Sequence, residues 1–167
     1  AYPGMEQFFE KKKIVFTGNP VRQDLINQFA TKQEARKHFE LNPDKKTILI
    51  IGGSQGALSI NNSIADSLSA FAKNDIQVLW QTGKGFYKKA TEIAKASNCN
   101  NGFISEFIYE MDQAYAAADV VISRAGALSV SELCLTAKPC ILVPFPSASE
   151  DHQTKNAMSL VDQNAAI

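Results

Sequence analysis

The chain has 167 residues, of which 45% are hydrophobic, and this is enough for one domain with an apolar core but short for two of ordinary size. Its 17 basic residues balance 17 acidic ones, so no net charge attracts it to nucleic acid or to an anionic membrane. The longest apolar runs are strand-sized, far below the roughly 20 residues that cross a bilayer. Cys99, Cys134 and Cys140 are odd in number and lack CxxC spacing, which argues against a disulfide framework and a zinc site.

Short apolar runs alternate with helical patterns along the whole chain. This rhythm predicts parallel strands joined by crossover helices, that is, an α/β fold. Strands are predicted at residues 14–16, 47–51, 76–80, 103–104, 120–122 and 140–143. Helices are predicted after the capping box Thr31-x-x-Glu34, at 60–71, 86–96, 111–117 and 130–135, and from about residue 153.

The domain organisation follows from the same pattern. Residues 1–13 have the character of an interdomain linker, and residues 14–167 form one domain without an internal boundary. The sequence at 164–167 lacks a stop signal and is poised to enter another strand, so we expect the domain to be truncated there. No signal-peptide pattern opens the sequence, which favours a cytoplasmic protein.

The first candidate site is a glycine loop, GGSQG at residues 52–56, in which Ser54 and Gln55 stand between the glycines. It follows a predicted strand and opens a helix, so its amides and the positive end of the helix dipole converge where an anion can bind. The spacing matches neither a Walker A loop nor a GxGxxG dinucleotide motif. A tight strand-to-helix turn without a ligand therefore stays open as an alternative.

A second loop of this kind, SRAGALSVSE, spans residues 123–132. In a doubly wound sheet both loops lie at the carboxyl edge, where a ligand with a diphosphate and a polar head can bridge them. On the residues alone, Glu132 is best explained as part of a capping box, Ser129-x-x-Glu132. Arg124 is able to neutralise a phosphate, although a loop arginine is more often solvated.

Two further polar residues fall near the same predicted edge. Arg22 ends a turn-rich segment, 17–22, and Gln153 lies where the last helix begins, with Asp151 available as its N-cap. Gln153 is able to hydrogen-bond sugar hydroxyls. The plainer alternatives are an exposed arginine and a surface glutamine.

Four segments taken together, GNPVR at 18–22, GGSQGA at 52–57, SRAGALSVSE at 123–132 and DHQTKNA at 151–157, resemble the bacterial undecaprenyl-diphospho-muramoylpentapeptide β-N-acetylglucosaminyltransferase family. They occur in the same order over nearly the whole chain, and the resemblance is to the C-terminal domain. It implies a Rossmann-like parallel sheet with helices on both faces, the C-terminal domain of a GT-B glycosyltransferase. Such enzymes transfer N-acetylglucosamine from UDP-N-acetylglucosamine to lipid I, giving lipid II for peptidoglycan.

The resemblance also implies roles for individual residues. Glu132 would accept hydrogen bonds from the ribose hydroxyls, a role that is preferred to a simple cap but compatible with it, and the backbone of Ile108 would contact uracil. Ser54, with Gln55 beside it, and the turn formed by Gly126, Ala127 and Leu128 would lie against the diphosphate, with Arg22 close by. Gln153 would reach the N-acetylglucosamine ring, and some family members carry a second glutamine where this chain has His152.

The resemblance also implies which functions of the enzyme lie outside this chain. Helix N-termini and arginine, rather than a metal or a cofactor, would stabilise the donor phosphates. The catalytic base, the lipid I site and the membrane-contacting patch would belong to the N-terminal domain, so that this chain binds the donor without turning it over. The complete enzyme would be peripheral on the inner face of the cell membrane.

Two other functions remain as alternatives. The chain is also consistent with a stand-alone subunit that binds UDP-N-acetylglucosamine and acts only with a membrane partner. A relative of UDP-N-acetylglucosamine 2-epimerase would share the fold and the donor, but its catalytic carboxylates and histidines are not evident in this sequence.

Overall fold

A computed structural model describes residues 5–26, 30–97, 102–147 and 151–167. Its centre is a five-stranded parallel sheet with the strand order β3-β2-β1-β4-β5. The strands are β1 (Lys46–Ile51), β2 (Ile76–Gln81), β3 (Gly102–Ser105), β4 (Val120–Ser123) and β5 (Cys140–Leu142). Because β2 and β3 lie on one side of β1 while β4 and β5 lie on the other, the direction of winding reverses between β1 and β4.

Seven α-helices of the described residues surround this sheet. They are α1 (Gln23–Ile26), α2 (Lys32–His38), α3 (Leu58–Lys73), α4 (Lys84–Ala96), α5 (Met111–Ala117), α6 (Ala127–Thr136) and α7 (His152–Val161). No helix in the described part of the chain is both long and apolar enough to cross a membrane. Short 3-10 turns, Met5–Gln7 and Lys11–Lys13, precede the first α-helix.

The core lies on both faces of the sheet because alternate residues of each strand point in opposite directions. Leu49 and Leu79 pack towards the face that α2, α5, α6 and α7 cover. Ile50 and Trp80 pack towards the face that α3 and α4 cover. The predicted α/β class, with a parallel sheet and helices on both faces, is confirmed. Because β1 is buried on both faces of the sheet, its sequence is a nearly continuous apolar run.

The predicted element order agrees with the structure from residue 31 onward. The capping box forms as expected, since the Thr31 hydroxyl accepts from the Glu34 amide at 3.3 Å and the Glu34 carboxylate accepts from the Thr31 amide at 2.9 Å. The strand predicted at 14–16 is wrong: the segment lies outside the five-stranded sheet, and Val15 and Phe16 are 71% and 63% exposed. An apolar triplet alone does not form a strand without a neighbour to pair with.

A charged cluster around Asp119 lies at the amino ends of β1 and β4, at the end of the sheet opposite the glycine loop. The carboxylate accepts from the Thr47 amide at 2.8 Å and from Lys32 Nζ at 2.8 Å, and it pairs with the buried guanidinium of Arg36. Burial favours a raised pKa for Asp119, but these hydrogen bonds and the charges of Arg36 and Lys32 outweigh it and hold the pKa below its ordinary value. The cluster therefore ties α2 to the starts of β1 and β4.

The cysteines are free thiols where the structure describes them. Cys134 is an exposed free thiol and Cys140 a buried one, while Cys99 lies outside the described residues.

The last residue lies beside β5. The backbone of Ile167 donates to the Cys140 carbonyl at 3.1 Å and accepts from the Leu142 amide at 2.8 Å. Ile167 is therefore hydrogen-bonded to the backbone of β5, and the truncation expected at 164–167 stays a prediction.

Candidate functional site

A cleft of about 750 Å³ opens at the carboxyl edge of the sheet, between the loops that follow β1 and β4. We call it the edge cleft and define it by Gly53, Gly56, Arg124, Gly126 and Gln153, which all line it. Both candidate loops thus face one space, as the sequence analysis expects. The cleft lies where the strand order reverses, which is the usual ligand position in open α/β sheets.

Two helices begin at this cleft. The N-cap of α3 is Ala57 and that of α6 is Gly126, and in the described structure neither makes a side-chain capping hydrogen bond. The capping box expected from Ser129 and Glu132 is wrong, because α6 begins at Ala127, three residues before the predicted start at residue 130, and Ser129 is already helical. The first amides of both helices are therefore left for a ligand, and the helix dipoles favour an anion.

The glycine loop has a tight backbone that depends on its last glycine. The Gly56 amide donates to the Gly53 carbonyl at 3.0 Å, and Gly56 has a φ of +75°, a conformation that disfavours other residues. A Cβ at Gly56 would also collide with the Thr82 carbonyl. Close backbone packing against the turn after β2 therefore fixes the loop, and only glycine fits there.

Glu132 lies in α6 with its carboxylate largely buried and facing α5. The buried phenol of Tyr115 donates to Glu132 Oε2 at 3.1 Å. Desolvation raises the pKa of Glu132, although the Tyr115 hydrogen bond and the charge of Arg22 oppose the shift. Since the phenol occupies one carboxylate oxygen, the other is the better placed of the two to accept from a ligand.

Arg22 lies near Glu132, and its positive charge partly offsets the rise that burial causes in the pKa of that carboxylate; neither residue is among those that line the edge cleft. Its guanidinium pairs with Asp24 at 3.0 Å and donates to the Tyr109 carbonyl at 2.8 Å. The hydrogen bond with Asp24 is the main reason that the pKa of Arg22 is raised further. The structure thus brings Arg22 and Glu132 together with the segment that follows β3.

A second contact holds the segment before α1 against α6. The Asn19 amide group donates to the Ala127 carbonyl at 3.0 Å and to the Ser131 hydroxyl at 2.6 Å. This pairing joins residues 108 positions apart in sequence. It fixes Asn19 against the first turn of α6, although the segment forms no strand.

Arg124 lines the edge cleft, and its guanidinium is hydrogen-bonded to protein groups rather than only to solvent. Its guanidinium donates to the carbonyls of Val143 and Pro144 at 3.1 and 2.9 Å and to the Ser59 hydroxyl at 2.8 Å. It also lies over the Phe145 ring, 5.4 Å from the centroid. Arg124 thereby joins the loop after β5 to the first turn of α3, and burial lowers its pKa.

Gln153 lines the edge cleft from the first turn of α7. Its side-chain carbonyl accepts from the Phe145 amide at 3.0 Å, so the amide NH₂ is the end that can donate to a sugar hydroxyl. Asp151 occupies the N-cap position, as expected, but in the described structure it makes no side-chain cap; its carboxylate accepts from the Thr154 hydroxyl at 2.6 Å.

Ile108 is buried, and its backbone amide donates to the side chain of Gln81 at 2.9 Å. Ser54 and Gln55 are exposed in the glycine loop, and Leu128 is exposed in the first turn of α6. Tyr115 and Gln81, both buried, belong to no motif that the sequence shows. The one signal for Gln81 is a polar residue at the end of a mainly apolar strand, IQVLWQ, and Gln77 on the same strand gives the same signal.

Together these features define a class: an open parallel α/β domain, in which uncapped helix N-termini meet at the reversal of strand order, the usual position of a ligand. The comparison with protein families makes the class specific. Residues 47–167 match the model of the glycosyltransferase family 28 C-terminal domain, and the chain belongs to that family. The matched region contains the glycine loop, the loop at 123–132 and Gln153, but not Arg22.

Curated relatives agree with this family over the full chain. The UDP-N-acetylglucosamine--N-acetylmuramyl-(pentapeptide) pyrophosphoryl-undecaprenol N-acetylglucosamine transferase of Parabacteroides distasonis is 56% identical over 167 residues, 100% of this chain and 45% of the relative. The protein of the same name from Bacteroides thetaiotaomicron is 54% identical over 169 residues, again covering 100% of this chain and 45% of the relative. This chain therefore spans slightly less than half the length of the curated relatives it matches.

Solved structures share the fold. MurG of Acinetobacter baumannii superposes with a TM-score of 0.68 at 29% identity, covering 92% of this chain and 43% of that protein. The C-terminal domain of a group 1 glycosyl transferase from Francisella tularensis superposes with a TM-score of 0.52 at 17% identity, covering 84% of this chain and 89% of that domain. The second likeness concerns the fold alone.

Proposed function

We propose that this chain is the donor-binding domain of an inverting glycosyltransferase that transfers N-acetylglucosamine from UDP-N-acetylglucosamine to lipid I, giving lipid II. The observation that carries the proposal is the edge cleft, where two uncapped helix N-termini, those of α3 and α6, converge. Glu132 lies further along α6, outside the residues that line the cleft. The names of the relatives that match the full chain support the choice of donor and acceptor.

The uridine half of the donor binds on the side of α5 and α6. Glu132 accepts hydrogen bonds from the ribose hydroxyls through the oxygen that Tyr115 leaves open. Because the Ile108 amide already donates to Gln81, the Ile108 carbonyl is the group that accepts from the N3–H of uracil. Binding at Ile108 and Glu132 orients the nucleotide with its phosphates towards Gly126.

The diphosphate binds across the two helix N-termini. The amides of Ala127 and Leu128 in the first turn of α6, together with Ser54 and Gln55 in the glycine loop, donate to its oxygens. Arg22 turns from Asp24 towards the phosphates when the donor binds, since the doubly charged ligand is the stronger partner. These groups stabilise the charge that develops on UDP as it leaves the sugar, which is how they assist transfer.

The sugar lies at the far end of the cleft. The amide NH₂ of Gln153 donates to a hydroxyl of the N-acetylglucosamine ring, while its carbonyl stays bound to the Phe145 amide. The acceptor, lipid I, and the base that deprotonates it belong to the rest of a longer protein, to which residues 1–13 form the linker. That protein acts at the inner face of the cell membrane, where a lipid-linked acceptor is presented.

Ligand binding to the 167-residue chain tests this proposal. UDP and UDP-N-acetylglucosamine should raise the melting temperature, whereas NAD should not. Glu132→Ala removes charge-assisted hydrogen bonds worth about 1.5–3 kcal/mol and should weaken UDP binding by roughly ten- to hundred-fold in calorimetry. Glu92→Ala, an exposed carboxylate on α4 at the opposite face, is the matched control and should leave the affinity unchanged. Tight binding of NAD with no response to UDP would contradict the proposal.

A further inference from the structure

Gln81 is the last residue of β2, and both ends of its side-chain amide are hydrogen-bonded. Its Nε2 donates to the Gly53 carbonyl at 3.0 Å, and its Oε1 accepts from the Ile108 amide at 2.9 Å. The residue is only 4% exposed. One side chain therefore joins the glycine loop after β1 to the segment after β3.

The position of β2 explains why this link is possible. β2 lies between β1 and β3 in the sheet, so the loops of its two neighbours end on either side of Gln81. The turn that follows strengthens the connection: the Thr82 amide donates to the Ser105 carbonyl at 2.9 Å, and the Gly83 amide donates to the Glu106 carbonyl at 3.1 Å. The end of β2 is thus hydrogen-bonded to the segments that follow both neighbouring strands.

The chemistry at this position requires an amide side chain. A buried polar group costs free energy unless it is hydrogen-bonded, and an apolar residue would satisfy the core at least as well. The link needs one donor for the Gly53 carbonyl and one acceptor for the Ile108 amide, and glutamine supplies both. The side chain makes no direct contribution to the lining of the edge cleft.

We propose that Gln81 is a positioning residue that couples phosphate binding at the glycine loop to base binding at Ile108. The inference rests on the proposed donor site. When pyrophosphate orders the glycine loop, Gln81 holds the Ile108 segment in the geometry that receives uracil, and uridine has the reciprocal effect on the loop. The donor is therefore bound more tightly than its two halves predict.

The coupling between the two affinities is measured with uridine and inorganic pyrophosphate as separate ligands. Because uridine is neutral, direct charge repulsion between the two ligands does not contribute to the measured coupling. In the wild-type chain, saturating pyrophosphate should tighten uridine binding by about five-fold, at the lower end of common allosteric couplings. Gln81→Met keeps the shape of the side chain and removes both hydrogen bonds, and it should abolish this coupling. Amide NMR titration reports both affinities.

Gln77→Met is the matched control. Gln77 is a fully buried glutamine on the same strand, but it bonds the Asn42 carbonyl at 2.8 Å and the Thr47 hydroxyl at 2.9 Å near the opposite edge of the sheet. It should lower stability by a similar amount and retain the five-fold coupling, which separates positioning from general destabilisation.

A second measurement does not depend on a variant. In the wild-type chain, pyrophosphate should shift the amide signal of Ile108 and the side-chain NH₂ signal of Gln81. The inference is overturned if wild-type protein binds both ligands without coupling, or if Gln81→Met retains the coupling. If the wild-type chain binds neither uridine nor pyrophosphate, the proposed donor site is overturned as well. Binding of both ligands without coupling overturns only the role of Gln81.

Discussion

The buried phenol of Tyr115 in α5 donates a 3.1 Å hydrogen bond to the carboxylate of Glu132 in α6. Burial, and secondarily the neighbouring carboxylate, raise the pKa of Tyr115, so the phenol keeps its proton and acts as a donor at all physiological pH values. The pair fixes the orientation of the carboxylate that we assign to the ribose. Glu132 is therefore a binding residue whose position depends on a residue in another helix.

Tyr115→Phe tests that dependence. The change leaves a buried carboxylate oxygen unpaired and should lower the free energy of unfolding by about 1–3 kcal/mol in urea titrations. UDP affinity should also fall, because the carboxylate is no longer held in one orientation. The control is Tyr109→Phe, an exposed tyrosine whose hydroxyl loss should change stability by less than about 0.5 kcal/mol. Unchanged UDP affinity in Tyr115→Phe would remove the positioning role.

Glu132→Gln should change the free energy of unfolding and the affinity for UDP in opposite directions at neutral pH. The folded protein raises the pKa of Glu132 by desolvation, so the folded state binds the proton more tightly than the unfolded state does. Stability is then lost as the pH rises from the ordinary value of 4.5 through the raised folded value, and stays lower above it. The side chain in Glu132→Gln does not ionise, so the variant does not lose this stability as the pH rises.

The variant should therefore gain stability over wild type as the pH increases from about 4 to about 7, measured by urea denaturation at each pH. UDP binding should nevertheless weaken by roughly ten-fold, since a charge-assisted acceptor becomes a neutral one. A stability difference that is the same at every pH would show that Glu132 carries no desolvation penalty.

Asp119→Asn tests the cluster at the opposite edge of the sheet. It removes the partner of the buried Arg36 guanidinium, and breaking such a pair should cost about 3–5 kcal/mol in unfolding free energy. Because the pKa of Asp119 is lowered in the folded state, its stabilisation is present at neutral pH and is lost as the pH falls below the ordinary value of 3.8 through the folded one.

The wild-type chain should thus lose stability on acidification in a way that Asp119→Asn does not. Asp66→Asn, an exposed aspartate on α3, should stay within about 0.5 kcal/mol of wild type. Loss of UDP affinity in folded Asp119→Asn would be unexpected, since the cluster is remote from the edge cleft.

Two glycines of the same loop provide a matched pair. Gly56→Ala introduces a Cβ that collides with the Thr82 carbonyl at a positive φ, and it should destabilise the fold by roughly 3 kcal/mol and abolish UDP binding. Gly53→Ala has a positive φ of 86° but an unobstructed Cβ, so strain alone should cost about 1–2 kcal/mol. Equal losses in the two variants would contradict the requirement for close packing at Gly56.

The sequence was sufficient to predict features that depend on local pattern. The strands of the sheet, the α/β class and the loops after β1 and β4 all follow from periodicity and from glycines beside apolar runs. The strand at 14–16 was wrong because an apolar triplet does not reveal whether a neighbouring strand exists. The Ser129 capping box was wrong because α6 begins at Ala127, before the residue that matches the motif.

The residues that complete the site could not be predicted for a different reason. Tyr115 and Gln81 act through contacts with residues 17 and 27 positions away, and these contacts exist only when the sheet has formed. Arg124 likewise finds its partners, the carbonyls of Val143 and Pro144, across neighbouring loops. Local motifs locate a binding loop, whereas the buried side chains that orient it depend on strand order.

The central claim is that the glycine loop and the first turn of α6 bind one diphosphate together. An amide NMR titration of the isotope-labelled chain with UDP tests it most directly. The amides of Gly53 and Gly56 and those of Gly126 and Leu128 should shift together and saturate at the same UDP concentration. Shifts confined to one loop, or saturation at different concentrations, would contradict it.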